Sequence, residues 1–327
     1  MDETNQTDKS NMIEILESIP KQIAEAVKLA KDVKVTEPIK RIMVAGMGGS
    51  AVSGDILKAY LKDKIDVTVN KDYFLPELVG KETLLFIVSY SGNTEETISA
   101  YRTAQRKNMN MVIITTGGKL EELSKISKTP CIIIPKGFQP RAGLAYLFFP
   151  MLTVLYNSHF IDNPEQDIKN TVKALKNPRF KERAQDLAEK LVEKVPLIYA
   201  SEKMGVVAYR WKTQFNENAK IHAFHHVFPE LDHNELVGYG NIKAGYHVII
   251  IKDDDDYVKI KKRMDITKGL ISEAGINVTE LVIKGECFLT KLFSAIYLGD
   301  LTSYYLALKY GTDPTPVDVI EKLKKEL

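Results

Sequence analysis

The chain has 327 residues, and its 45 Lys and Arg are interspersed with 43 Asp and Glu for a formal net charge of +2, so no broad positive field is offered to a nucleic-acid backbone. The longest nearly apolar run, LAYLFFPMLTVLY (144–156), is shorter than the roughly 20 residues that span a bilayer and contains Pro150, so it reads as a buried core helix and not as a membrane anchor. At about 150 residues per domain the length predicts two domains. The two cysteines, Cys131 and Cys287, lie in mostly apolar stretches and read as buried, reduced thiols of a cytoplasmic protein, and MDETNQTDKSN at the N-terminus has no basic-then-apolar secretory pattern.

In chain order, a helix is predicted from about Asn11, and the first half then alternates apolar runs with helical patterns: RIMVAGM, a helix, IDVTV, TLLFIVS, a helix, MVIITT, a helix, CIIIP, a helix. Runs that are apolar throughout belong to strands covered on both faces, so the fold class is α/β, a doubly wound and mainly parallel sheet flanked by helices. The periodicity breaks near SHFIDNPEQD (158–167), which places one domain at residues 1–160 and a second at 161–327. The second half repeats the grammar. RIMVAGMGGSAVSGDI has a counterpart in PLIYASEKMGVVAYRW, and TLLFIVSYSGNTEET has one in YHVIIIKDDDDYVKI. The turns differ: Gly and Ser in the first half, Asp253 to Asp256 in the second, where four carboxylates would repel an anion.

Phosphate chemistry is therefore sought in the first half. AGMGGSAVSGD follows the first strand, and Gly46, Gly48, Gly49 and Ser50 let the backbone approach a ligand before a helix begins near Ala51. SYSGNTEET follows the strand TLLFIV. Asn93 with Glu96 has capping-box spacing, which starts a helix near Thr94 and leaves Ser89, Ser91 and Thr94 as hydroxyls around its positive end. Either turn alone could merely cap and turn. Together, at the C-terminal ends of parallel strands, they predict two cups converging on one small anion. Gly46-Met47-Gly48-Gly49-Ser50-Ala51 also satisfies the dinucleotide pattern G-x-G-x-x-G/A, with Asp72 where a ribose-binding acid could sit. A dinucleotide site has no use for a second hydroxyl-rich cup, so the phosphate-ester reading is preferred.

Candidates for chemistry follow. Arg141, in FQPRAGLAY, sits at the mouth of a helix and could hold an anion or a developing oxyanion; a solvated surface arginine is the bland alternative. Glu217, in FNENAK, lies in the last turn of a helix predicted from about Met204. There a carboxylate opposes the negative end of the dipole, which favours a role as proton acceptor and donor; a frayed, solvated Glu is the alternative. Four of the six histidines follow, His222, His225, His226 and His233. They lack H-E-x-x-H spacing and paired cysteines, so zinc is not favoured. His233, among Asp232, Asn234 and Glu235, is the best placed to shuttle a proton. In YGTDPTPVDVIEKLKKEL, Thr315 is read as an N-cap with Pro316 first in the helix and Asp318 closing a box. Lys322, Lys324 and Lys325 lie off the apolar stripe of Pro316, Val319, Ile320, Leu323 and Leu327 and read as a solvated face.

As an ordered set, GMGGSAVSGD, SYSGNTEET, PRAGLAY, NENAK, PELDHNE and DPTPVDVI resemble the archaeal bifunctional phosphoglucose/phosphomannose isomerases of the sugar-isomerase-domain (SIS) superfamily, from about residue 20 to the end. The resemblance implies two SIS domains, hexose 6-phosphate substrates, a homodimer with active sites near the subunit interface, and neither metal nor cofactor. It implies that Gly48, Gly49, Ser50, Ser89, Ser91 and Thr94 hold the sugar and its phosphate, that Glu217 moves a proton between C1 and C2, and that Arg141 stabilises the enediolate. It further implies that His233, from the partner subunit, opens the sugar ring. The helix lysine matches Lys322, with Lys324 left open. Thr315 matches a position where strict glucose-phosphate isomerases carry a bulkier glutamine, so its smaller side chain would admit mannose 6-phosphate as well. Two rivals are a non-catalytic sugar-phosphate sensor and a zinc-dependent isomerase using the histidines. Asp253 to Asp256 match no motif.

Overall fold

The computed structural model describes residues 7–326, without the side chain of Lys325; the start of the segment read for a secretory signal and Leu327 of the predicted apolar stripe lie outside the described residues. Two compact units are present. One runs from Ser18 to Val172; the other takes Lys173 onward together with the N-terminal segment up to Glu17. The division thus falls within the helix Glu165–Leu175, twelve residues past position 160, and the short helix α1 (Met12–Glu17) packs with the second unit.

In the Ser18–Val172 unit the order is α2 (Ile19–Leu29), β1 (Arg41–Ala45), α3 (Gly48–Tyr60), β2 (Asp66–Asn70), β3 (Thr83–Val88), α4 (Glu95–Arg106), β4 (Asn110–Thr115), α5 (Gly118–Ser127), β5 (Cys131–Ile133), a 3-10 turn (Pro140–Gly143), α6 (Leu144–Asn157) and the first part of α7 (Glu165–Leu175). The five strands are all parallel in the order β2-β1-β3-β4-β5. All six residues of central β3 are buried, which is why the sequence shows an unbroken apolar run there. The apolar run around Pro150 is indeed a core helix: α6 is buried from Leu144 to Leu155. Gly54 in α3 stands where a Cβ would come within 2.7 Å of Val44, so its missing side chain lets the helix lie on β1.

In the other unit, α8 (Arg179–Leu191) leads to β6 (Val195–Ser201), a 3-10 turn (Glu202–Met204), α9 (Gly205–Glu217), β7 (Phe224–Phe228), two further 3-10 turns (Glu230–His233 and Glu235–Gly240), β8 (Tyr246–Asp253), α10 (Val258–Glu273), β9 (Asn277–Ile283), α11 (Phe288–Lys309) and α12 (Asp318–Glu326). Its strands are all parallel in the order β7-β6-β8-β9. Matching β6, β7, β8 and β9 to β1, β2, β3 and β4 preserves both chain order and sheet order, so the repeat legible in the sequence is one topology used twice. The 22-residue helix α11 is the core of this unit, buried on every face over most of its length.

Three local expectations are corrected. Asn93 does not cap α4: Thr94 occupies the N-cap position without a side-chain cap bond, and Asn93 Oδ1 instead accepts from the Lys119 N–H at 2.9 Å, tying the turn to the start of α5. Thr315 is not an N-cap either. α12 begins at Asp318, the Val317 carbonyl accepts its first bonds from Ile320 and Glu321, and the Thr315 N–H is donated to Asp313 Oδ1 at 3.0 Å. The apolar stripe of α12 is exposed like its lysines, with Val319 at 85% and Leu323 at 60%. The cysteines are free thiols and only half-buried, and burial pushes the Cys131 thiol up.

Candidate active site

The two cups sit at the C-terminal ends of adjacent strands, because β1 and β3 pair directly. A Cβ on Gly46 would lie 2.8 Å from the Val88 carbonyl, so only glycine lets the chain leave β1 this close to β3. Gly48 has φ +50 and faces open space, while a Cβ on Gly49 would lie 3.2 Å from the Arg141 Cα and the Pro140 carbonyl. That close approach brings the Arg141 turn onto the first cup. Arg141 is 3% exposed, and its guanidinium donates to Gln139 Oε1 at 3.5 Å. The Tyr90 N–H donates to Ser50 Oγ at 3.3 Å, joining the first cup to the second. In the second cup Ser89 Oγ and Thr94 Oγ1 are 2.9 Å apart, the Gly92 N–H donates to Ser89 Oγ at 3.1 Å, and the Asn93 N–H donates to Ser91 Oγ at 3.2 Å.

Tyr90 is the residue that sequence reasoning passed over in this unit. Its hydroxyl donates to the Pro135 carbonyl at 3.1 Å and accepts from the Phe138 N–H at 2.9 Å, and its ring lies against Gly143, where a Cβ would come to 3.0 Å. Burial pushes its phenol up, so it stays a neutral strut between both cups and the Arg141 turn. One unit therefore gathers Gly48, Gly49, Ser50, Ser89, Ser91, Thr94 and Arg141: main-chain N–H groups, hydroxyls and a buried cation, all of a kind that binds a phosphate ester.

In the other unit Glu217 is the last residue of α9, as its sequence position predicts, and the helix is fixed by buried polar contacts with α11. Arg210 donates to both carboxylate oxygens of Asp300, at 3.0 and 2.7 Å, and Asn218 Nδ2 donates to Ser303 Oγ at 2.9 Å. Trp211, wholly buried, donates to the Ala295 carbonyl at 2.8 Å.

His233 is exposed at the end of its 3-10 turn, and its neighbours on both sides are anchored. Asp232 accepts from Thr267 at 2.9 Å and from Arg263 at 3.1 Å; Glu235 accepts from the buried Tyr199 hydroxyl at 2.5 Å; and Tyr199 meets the Tyr239 hydroxyl at 2.6 Å. Burial, with Tyr239 and Glu235 adding to it, drives the Tyr199 phenol far above its usual range, and burial pushes Tyr239 up to about 12. Both phenols stay protonated and hold the loop. No sequence signal reveals this triangle, since Tyr199 reads only as a β6 core residue.

The remaining histidines do not assemble. His222 is exposed, His225 packs against the Tyr209 ring, and His226 Nδ1 accepts from the Val227 N–H. Among the described residues the convergent acidic group is Asp253, Asp254 and Asp255. Its centre is filled by the Lys291 ammonium, which donates to Asp253 at 2.7 Å, to Asp254 at 2.5 Å and to Asp255, while Lys203 lies 2.7 Å from Asp253. The unassigned acidic run is thus no bare negative field, as four isolated carboxylates would be, but an ion cluster in the turn that corresponds to the second cup. Thr315 lies in the turn between α11 and α12; Lys322 is exposed on α12; Lys324 pairs with Glu321 at 3.9 Å.

Two parallel-sheet units with paired turns of this kind define a SIS-domain protein. Residues 37–155 match the SIS domain family, and residues 180–327 match the bacterial phospho-glucose isomerase C-terminal SIS domain. The chain is similar to a bifunctional phosphoglucose/phosphomannose isomerase of Caldicellulosiruptor bescii, 41% identical over 97% of this chain and 98% of that one. It is similar to the protein of the same name in Thermoplasma volcanium, 36% identical over 93% of this chain and 97% of that one. Among solved structures, a hypothetical protein of Thermus thermophilus shares the fold with TM-score 0.75 at 14% identity, over 97% of this chain and 90% of that one. The chain belongs to the bifunctional phosphoglucose/phosphomannose isomerase family.

Proposed function

We propose that the protein interconverts glucose 6-phosphate and mannose 6-phosphate with fructose 6-phosphate by moving one proton through a cis-enediolate. The observation that carries this reading is the gathering of both hydroxyl-rich cups and the Arg141 turn in one unit of a chain that belongs to this family. The phosphate is held by the N–H groups and hydroxyls of Gly48, Gly49, Ser50, Ser89, Ser91 and Thr94, and that remote binding energy holds C1 and C2 for reaction. His233 of the partner subunit assists ring opening by passing a proton to the ring oxygen. The Glu217 carboxylate removes the proton from C2 of the aldose, leaving an enediolate whose charge Arg141 offsets, and returns it to C1 while the O2 hydroxyl proton passes to O1. C2 ends as a ketone and C1 as a primary alcohol, so no electrons leave the substrate and no step calls for a cofactor or a metal.

Lys322, or Lys324 in its place, supplies a further cation, and Thr315 leaves room for either configuration at C2. The working form in this reading is a homodimer in the cytoplasm, where Cys131 and Cys287 stay reduced. The deciding experiment is Glu217→Gln. Deuterium incorporation at C2 from heavy water is expected to be abolished while inorganic phosphate still competes for the cups with unchanged affinity; retained exchange would overturn the role of Glu217. Turnover of fructose 6-phosphate by the purified wild type separates this reading from a non-catalytic sensor, and full activity in chelator separates it from a zinc enzyme.

A further inference from the structure

Lys220 stands just beyond the end of α9, at φ +58, a left-handed conformation that turns the chain back at the helix end. Its ammonium donates to three carbonyls: Glu217 at 2.5 Å, Asn218 at 3.4 Å and Pro314 at 3.2 Å. An ammonium has three donors and no acceptor, so it is suited to hold several carbonyls at once. The first two are carbonyls at the end of a helix, which have no intrahelical partner and form the negative pole of the dipole. The third lies 94 residues further along the chain, so the contact is a tertiary tie as well as a local cap.

Both ends of that tie carry residues of the proposed reaction. Glu217 is the helix terminus itself, and Pro314, which is buried, directly precedes Thr315. The rest of the ring is tied by hydrogen bonds. Asn218 is held by Ser303, whose hydroxyl donates to the Asp300 carbonyl, and Asp300 is paired with Arg210. After α11, Gly311 at φ +61 reverses the chain, and Asp313 fixes the Thr315 N–H. The Lys220 ammonium closes this ring between the Glu217 end and the Thr315 turn.

We propose that Lys220 is a positioning residue that fixes the Thr315 turn against the Glu217 end of α9 and so sets the relative activity on the two C2 epimers. The inference rests on the assignment of Glu217 and Thr315 above. Epimers at C2 differ in where one hydroxyl points, so discrimination needs the proton-transferring group and the side chain beside C2 to keep a fixed separation. A displacement of about 1 Å at a reacting centre costs on the order of a hundredfold in rate.

The test is Lys220→Met, which keeps an unbranched apolar stem and removes all three donors, with Lys220→Arg and Thr315→Gln measured beside it. Steady-state kinetics are taken with glucose 6-phosphate and mannose 6-phosphate, and inorganic phosphate serves as the competitive probe of the cups. Lys220→Met is expected to lower kcat by about tenfold or more, to leave the phosphate inhibition constant unchanged, and to shift the mannose-to-glucose ratio of kcat/KM by at least about threefold. Lys220→Arg, which retains charge and donors, restores most of the ratio. A merely structural lysine would scale both activities together. If Thr315→Gln moves the ratio and Lys220→Met does not, the positioning role is overturned alone; if Thr315→Gln leaves the ratio unmoved, the reading of Thr315 falls and the proposal with it. Should Lys220→Met fail to fold, Lys220→Gln takes its place with the same two outcomes.

Discussion

Lys291 shows what one side chain decides. Its ammonium is 3% exposed and serves Asp253, whose carboxylate is 1% exposed, so neither charge could remain ionised there alone. Burial pushes the Asp253 carboxyl up, but hydrogen bonds from Lys203, Lys291 and the Asp255 N–H outweigh it, and the net shift is downward. A carboxylate depressed on folding contributes stability that is fully present above its unfolded value, about 3.9, and is lost as pH falls through the folded value. Lys291→Met takes from that carboxylate one of its three hydrogen-bonding partners and is expected to cost about 3–5 kcal/mol at pH 7 by urea unfolding. The difference from wild type should shrink on acidification below about pH 4, as Asp253 takes up a proton and the lost interaction ceases to count. A difference that stayed constant from pH 7 to pH 3 would show that the loss is one of packing and not of charge.

Between elements, close approach is set by absent atoms as much as by present ones. A Cβ on Gly299 would lie 2.2 Å from the Trp211 indole nitrogen, with further ring carbons at 2.4 Å. α11 therefore rests directly on the buried indole of α9, and the same ring donates to Ala295 one turn earlier. Gly299→Ala gains helix propensity of up to about 1 kcal/mol, but the buried indole has nowhere to move and overpacking costs about 1–3 kcal/mol or more. The expected result is a net loss of stability in chemical denaturation, accompanied by a fall in kcat because α9 carries Glu217. A stabilised Gly299→Ala protein would show that α11 can slide, and that the position of α9 is not set by this contact. Nothing in the local sequence GDLTSYY marks Gly299 apart from a tolerated helical glycine, since its partner Trp211 lies far back in the chain.

For the whole molecule, the same topology occurs twice with opposite chemistry in corresponding turns. After β3 the turn presents hydroxyls and N–H groups; after β8 it presents aspartates closed by Lys291. In the proposed function the first copy binds and the second braces, so the phosphate has one seat per chain. The proposed dimer makes a separate prediction. If His233 serves the partner's Glu217, mixing the inactive variants Glu217→Gln and His233→Ala under subunit exchange yields mixed dimers with one intact site, and about a quarter of wild-type activity returns at random pairing. No recovery, with exchange verified by mass, would assign His233 to the site of its own chain.

Much of this protein can be read from its residues in order. The unbroken apolar strands, the glycine and hydroxyl turns that follow β1 and β3, the end of α9 at Glu217 and the repeat itself are local or periodic signals, because strand burial and helix termination are governed by neighbours within a few positions. The capping roles given to Asn93 and Thr315 were legible in form only: the Asn93 side chain is taken by the Lys119 N–H across the turn, and the Thr315 main-chain N–H is taken by Asp313 while the helix starts later, at Asp318. What the folded molecule alone decided are the partnerships between distant segments: Tyr90 joining both cups to the Arg141 turn, Tyr199 holding the His233 loop, Lys291 filling the aspartate turn, Lys220 reaching Pro314. Such ties depend on which groups are left without water and without a partner once the helices and sheets have packed, and that is a property of the three-dimensional arrangement that spacing along the chain does not encode.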